Sequence, residues 1–319
     1  MFATVGCHPT RSQDFDKFDA GPEAYLRALD NTIAKHKTGK GRVVAVGECG
    51  LGKLPVLSPS WQCPLNDEAP PWPTHPSTLD YDRLFFSPAE TQKKYFRMQL
   101  SLAKKHSLPL FLHSRNCHAD FVQILREEGF GEDGGRALGG RGGVVHSFTG
   151  PKEEINELLE MGFHFSLNGC GMKTRENLEA AAQIPLNKLL LETDAPWCSL
   201  TSTHASAAHL KTLPKPLSDV FFPPSSKTFV EGKMVKGRNE PNAIGGVAWV
   251  VAKLHGVTLE EVAEAAWKNT CELFALGDSV PEMDVPKVAA AVVAPVAAAA
   301  GPSAPAPTYD SAFPALGRR

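Results

Sequence analysis

The chain has 319 residues, 42% of them hydrophobic and 21% charged, with 33 Lys and Arg against 35 Asp and Glu for a formal charge of −2. That length accommodates one large α/β domain or two smaller ones, and the near-neutral balance excludes the global basic field of a protein that coats nucleic acid. The first residues lack the charged and apolar regions of a signal peptide, and no apolar stretch is clean enough to span a bilayer. An intracellular location, cytoplasmic or nuclear, without membrane contact is therefore expected. The seven Cys show no Cys-x-x-Cys spacing and an odd total. A reducing compartment is expected, with Cys49, Cys117 and Cys170 as small packing residues.

In chain order, residues 2–6 predict a short strand that ends at Cys7-His8-Pro9. Helical spacing follows over 22–37 through Tyr25, Leu26, Leu29 and Ile33. A strand over 43–47 ends at Glu48, and a helix over 89–106 opens with Ser87-Pro88 as N-cap and first-turn proline. A strand over 109–112 ends at His113, a helix covers 118–128, and a strand over 143–145 ends at His146. Helix 151–161, strand 163–167, helix 174–183 and strand 188–192 lead to Asp194, and helices 241–255 and 258–275 close the domain. Strand–helix alternation of this kind indicates parallel βαβ units. About five strands are evident, against eight in a closed barrel. The expected domain is 1–284, with an atypical, Pro-rich insertion over 52–79. The Ala/Pro-rich tail 285–319 has too few large apolar residues to order itself.

The chemistry lies at the strand ends. Glu48, His113, His146 and Asp194 each close a Val- or Leu-rich run of the kind that forms a buried parallel strand. A β/α barrel builds its active site from groups at the C-terminal ends of several strands, and two carboxylates with two imidazoles suit a divalent hydrolytic metal centre. A lone carboxylate or histidine at such a place would be an ordinary solvated or capping residue; four on separate strands favour function. Arg115, two residues beyond His113, matches phosphate oxygens. Ser147 and Thr149 either contact a bound anion or cap the helix near Pro151. Asp194, in Glu-Thr-Asp-Ala-Pro-Trp, can ligate a metal and take a proton from water. Glu192 reads as its structural neighbour. His8 is either a metal ligand or a hydrogen-bond donor to substrate, and the second is preferred. His204, in Ser-Thr-His-Ala, is a further substrate-binding candidate, and Trp197, Asn168 and residues 238–241 are candidates to line the cleft.

The ordered motifs Val-Gly-Cys-His-Pro-Thr, Val-Gly-Glu-Cys-Gly-Leu, Phe-Leu-His-Ser-Arg, Val-His-Ser-Phe-Thr-Gly, Leu-Asn-Gly-Cys and Glu-Thr-Asp-Ala-Pro-Trp-Cys resemble the TatD-type metal-dependent deoxyribonucleases, more closely their eukaryotic branch, over roughly 2–51 and 80–276. The resemblance implies a β/α barrel, hydrolysis of DNA phosphodiester bonds, typically from the 3′ end, and metal roles for Glu48, His113, His146 and Asp194. Two departures stand out. The family carries a strand with further ligands before the Gly-Cys-His-Pro strand, so an N-terminally incomplete barrel is expected, with Met1 an internal methionine of a longer protein. Removing 52–79 would join Leu51 to Asp80 and restore the family motif, as a translated intron would explain.

The reading taken forward is an α/β, TIM-type barrel acting as a 3′–5′ deoxyribonuclease. Asp194, Glu48 and Arg115 are its catalytic groups. The cofactors are two divalent ions, Mg²⁺ by abundance with Zn²⁺ or Mn²⁺ acceptable. DNA is the substrate, and a monomer without an obligate protein partner is expected. The rivals are a metal-dependent hydrolase of amides, esters or lactones on the same fold, and a catalytically silent remnant.

Overall fold

A computed structural model of the protein describes residues 1–39, 41–52 and 87–277. These belong to one contact unit, Met1–Val280. The tail 285–319, and all of the expected insertion except Gly52, lie outside the described residues.

Six parallel strands form the central sheet in chain order: β1 (Ala3–Val5), β2 (Val43–Gly52), β3 (Leu110–Arg115), β4 (Gly143–His146), β5 (His164–Leu167) and β6 (Leu189–Leu191). Among the described residues β1 and β6 are its outer members, and the six strands correspond to the six segments placed as strands from the sequence. The helices are α1 (Asp14–Lys17), α2 (Pro22–His36), α3 (Ala89–His106), α4 (His118–Glu127), α5 (Glu153–Glu160), α6 (Arg175–Gln183), α7 (Ala207–Leu210), α8 (Lys215–Phe221), α9 (Ile244–His255) and α10 (Leu259–Leu273). A two-stranded ribbon, β7 (Ser225–Ser226) with β8 (Met234–Val235), sits in the long excursion after β6. This is an α/β, TIM-barrel-like arrangement. No described helix is long and apolar enough to cross a membrane.

The strands are rich in buried apolar residues, and helices pack against the sheet, α3 on β2 and α10 on β6 among them. Val46, Leu110, Leu112, Val145, Phe163, Phe165 and Leu189 are fully buried in one core cluster. Each such side chain contributes roughly 1.5–3 kcal/mol on leaving water. Helix α3 shows how the pattern works. Tyr95, Phe96, Gln99, Leu100, Leu102 and Ala103 repeat at helical spacing and are buried. Phe96 stacks on Phe121 of α4 with ring centroids 5.5 Å apart. The helix stops where Ser107 turns left-handed and its N–H reaches the Ala103 and Lys104 carbonyls, after a basic last turn. Its start differs from expectation. Pro88 itself is the N-cap, and Ser87 contributes its carbonyl, which accepts from Gln92 Nε2 at 2.7 Å.

Two further expectations are corrected. Strand β2 does not end at Glu48 but runs on to Gly52, with a register shift between Gly47 and Cys49 that leaves Glu48 out of the ladder. Cys170 is not a lone packing residue; it forms a disulfide with Cys198, 28 positions later, with Cα atoms 5.0 Å apart. The two belong to the loops after β5 and β6, which a linear reading does not show to be neighbours.

Candidate active site

The bulge in β2 decides where Glu48 points. Its Oε1 is the meeting point of three imidazoles: His146 Nε2 at 2.5 Å, His113 Nδ1 at 2.7 Å and His8 Nε2 at 3.3 Å. His113 Nδ1 also lies 3.3 Å from His146 Nε2. His113 and His146 are each 6% exposed, whereas the Glu48 side chain is 30% exposed. One carboxylate thus joins the ends of β3 and β4 and the segment after β1, at the carboxyl ends of the strands. Gly47 and Gly50 permit the close approach. A Cβ at Gly47 would fall 2.2 Å from the Phe111 carbonyl oxygen, and one at Gly50 would fall 1.9 Å from that of His113. Both glycines have a φ of 150°.

The electrostatics divide the imidazoles. Burial opposes charge on His146, but Glu192 and Glu48 outweigh it and hold its pKa at about 10. Burial dominates at His113, where it lowers the pKa to about 4 against the pull of Glu48. Burial also works against a charged Glu48, but bonds to His113, His146 and His8 keep its carboxyl well below the usual range. Glu48 is therefore an anion, His146 its charged partner and His113 a neutral ring. Neutral imidazole is a metal ligand.

His8 and His146 are held from outside. The amide of Gln99, 1% exposed on α3, accepts the Cys7 N–H at 2.6 Å and donates to the Cys7 carbonyl at 3.2 Å, which fixes the residue before His8. His8 Nδ1 lies 2.7 Å from Thr10 Oγ1 and accepts the Thr10 N–H at 3.2 Å. Fully buried Asn168 donates through Nδ2 to Ser147 Oγ at 2.8 Å and to Glu192 Oε1 at 2.9 Å. Glu192 Oε2 in turn stands 3.6 Å from His146 Nδ1. A carboxylate behind a ligating imidazole fixes its ring and raises its basicity. Glu192→Gln is accordingly expected to weaken metal affinity or turnover by about 10–100-fold without unfolding the chain. Metal titration followed by calorimetry checks this, and an unchanged affinity and rate would remove Glu192 from the site.

Asp194 follows β6 and lines one cavity of about 460 Å³ together with Glu48, His146, Glu192, Thr193 and Phe111. It adopts a φ of 53°, and Ser147, just after β4, adopts 49°. Left-handed geometry in non-glycine residues persists where the surroundings impose it, and it concentrates at functional sites. The surroundings are visible at Asp194. Buried Asn239 donates its N–H to the Pro196 carbonyl at 3.0 Å and its Nδ2 to the Thr193 carbonyl at 2.8 Å, so it grips the loop on both sides of Asp194.

The four strand-end residues therefore converge: Glu48, His113 and His146 touch, and Asp194 lines the same cavity as Glu48 and His146. His8, preferred as a substrate contact, lies with the ligand-capable group instead. One atom each from His8, Glu48 and His113 lie within 4.8 Å of one another. Two imidazoles and a carboxylate suit a borderline divalent cation, so the residues fit a metal. Arg115 ends β3, half-buried. Neither Ser147 nor Thr149 caps α5, whose N-cap is Lys152 without a side-chain bond; Ser147 Oγ is engaged by Asn168 instead. His204 is not in the Glu48 cluster but lines a second cavity beside the Asp194 loop. Glu192 is more than a structural neighbour. It lines the same cavity as Asp194 although both residues lie beyond the end of β6. Gln99 offers no signal in the sequence, because its partner is a backbone 92 positions away.

The sequence model of the TatD related DNase family matches residues 1–275. The chain belongs to that family. It is 42% identical over 272 residues to the Deoxyribonuclease Tat-D of Schizosaccharomyces pombe, covering 85% of this chain and 74% of that protein. It is 33% identical over 199 residues to the 3′-5′ ssDNA/RNA exonuclease TatD of Cronobacter sakazakii, covering 61% of this chain and 57% of that protein. Among solved structures, an uncharacterized amidohydrolase from Saccharomyces cerevisiae superposes with a TM-score of 0.67 at 30% identity, over 85% of this chain and 80% of that one. In this member of the TatD-related family, His8, Glu48 and His113 form a group that could hold a metal.

Proposed function

We propose that the chain is a metal-dependent deoxyribonuclease that hydrolyses DNA phosphodiester bonds, trimming strands from the 3′ end inside the cell, in the cytoplasm or nucleus, as a monomer. The observation that carries this reading is the convergence of His8, His113 and His146 on one Glu48 oxygen, with Asp194 in the same cavity. Glu48, His113, Asp194, from its position His8, and His146 once an ion displaces its proton, would hold two divalent ions, Mg²⁺ by abundance and Mn²⁺ or Zn²⁺ as substitutes. Such ions supply Lewis acidity to the phosphate and to the attacking water.

The remaining chemistry falls to the chain. Asp194 takes the proton of the attacking water; a well-placed base contributes on the order of 10²–10⁴-fold. Its carboxylate starts in a defined position because Asn239 restrains the loop on both sides. Glu192 keeps the His146 ring oriented. Arg115, two positions beyond His113 in β3, supplies a fixed cation for a phosphate oxygen. Affinity for DNA should fall with salt as phosphate contacts release counterions.

A labelled single-stranded oligonucleotide incubated with purified protein and Mg²⁺ tests the reading. Stepwise shortening is expected, lost with EDTA and restored by excess Mg²⁺ or Mn²⁺. Absence of cleavage with any of Mg²⁺, Mn²⁺ or Zn²⁺, alongside turnover in an ester, amide and lactone panel, would transfer the site to the other hydrolase reading. Absence of metal and of both activities would favour the silent remnant.

A further inference from the structure

The loop that carries Asp194 has a second cavity beside it, of about 420 Å³. Trp197, Lys173, His204, Thr201 and Thr203 line it, and the Cys170–Cys198 disulfide forms part of its wall. Trp197 follows Asp194 by three positions, and its N–H closes a tight turn onto the Asp194 carbonyl at 2.8 Å. The indole is nevertheless 55% exposed, among the most exposed large apolar side chains of the described residues. An indole serving only as core packing would be covered. Facing the same space are the charge of Lys173, two hydroxyls (Thr201 and Thr203, 2.9 Å apart) and His204. His204 Nδ1 is buried and has no hydrogen-bond partner among the described residues.

The cavity is built before any ligand arrives. The loop after β5 meets the loop after β6 at Cys170 and Cys198, whose Cα atoms are 5.0 Å apart. The Ala205 N–H donates to the Lys173 carbonyl at 2.9 Å, and the Ser206 N–H donates to the Met172 carbonyl at 3.4 Å. A Cβ on Gly169 would fall 2.1 Å from the Cys198 carbonyl oxygen, so the two loops are in direct backbone contact. An exposed aromatic platform three residues from Asp194, with a lysine, a histidine and two threonine hydroxyls lining the same cavity, matches one kind of ligand: a flat heteroaromatic ring with a hydrogen-bonding edge, joined to an anion. We propose that this cavity receives the nucleobase next to the phosphodiester being cut, stacked on Trp197, with Lys173 at a flanking phosphate. This inference rests on the nuclease reading, whose substrate it details.

Base–aromatic stacking is tolerant of sequence, and removing the platform costs about tenfold or more in affinity. The test is equilibrium binding of a fluorescein-labelled oligothymidylate in EDTA, followed by anisotropy. Trp197→Ala should weaken binding about tenfold, and Trp197→Phe, which keeps a ring, by much less. An oligonucleotide with abasic sites should lose affinity for the parent protein by a similar factor, and none further with Trp197→Ala. Lys173→Met should weaken binding and lower its salt slope. Equal affinities of parent and Trp197→Ala, an abasic penalty undiminished in Trp197→Ala, or no measurable binding by the parent would overturn the proposal. Failure of the nuclease reading is seen separately: binding with this pattern but no cleavage with any metal leaves the base cavity standing and removes the hydrolysis. Trp197 is exposed, so circular dichroism of the variants should match the parent and exclude misfolding as the cause.

Discussion

Replacing Glu48 by Gln is expected to lower DNA hydrolysis by on the order of 10³-fold or more and to strip bound metal, while the protein stays folded. Gln keeps the shape but removes the anion on which three imidazoles converge. The loss is larger than for a residue that touches the site once, since His8, His113 and His146 would all lose the same acceptor charge. The pKa of His146, held at about 10 partly by Glu48, should fall in the variant, because only Glu192 would then oppose burial. Elemental analysis of metal content, oligonucleotide cleavage and imidazole proton resonances against pH check the three parts. A variant with parental metal content and rate would remove Glu48 from the centre of the site. The Glu48 side chain is 30% exposed, so no deeply buried gap is created and the fold should survive.

Asp194→Asn is the second large effect, expected at about 10²–10⁴-fold on kcat. Asn accepts hydrogen bonds and tolerates the left-handed backbone found at this position. It cannot take a proton, so kcat should fall far more than KM rises. Asn239→Ala supplies the contrast. It leaves the Asp194 carboxylate intact and removes the Nδ2 bond to the Thr193 carbonyl, while the backbone bond to the Pro196 carbonyl remains. If Asp194 acts only by ligation, the Asn variant should recover rate at high metal concentration; failure to recover identifies the proton transfer.

Much of this is legible in the sequence. Glu48, His113 and His146 each end a run of apolar residues, and a parallel sheet brings the ends of consecutive strands to one edge, so their meeting follows from order and periodicity. The helices over 89–106 and 118–128 were legible for a similar reason: their buried faces repeat locally. What stayed hidden depends on residues distant in the chain. The bulge at Gly47–Cys49, which aims Glu48, is a property of the pairing with β3. The Gln99 clamp on Cys7, the Asn239 grip on the Asp194 loop and the Cys170–Cys198 bond are made between loops whose proximity no local pattern encodes. Nothing local to His8 shows that its Nε2 reaches Glu48, because that depends on how the turn after β1 lies against β2.

The two glycines flanking Glu48 have a wider consequence. Because any larger residue at either place would collide with the β3 backbone, Gly47-Glu48-Cys49-Gly50 must be inherited as a block, together with the spine it leans on. The loops above carry a constraint of that kind at Gly169, which lies against the Cys198 carbonyl. Descendants of this scaffold can exchange what they grip by rewriting the rest of the rim, while the tetrapeptide beneath stays nearly frozen. A designer seeking a new specificity should leave those four positions alone and randomise the stretch from Trp197 to His204.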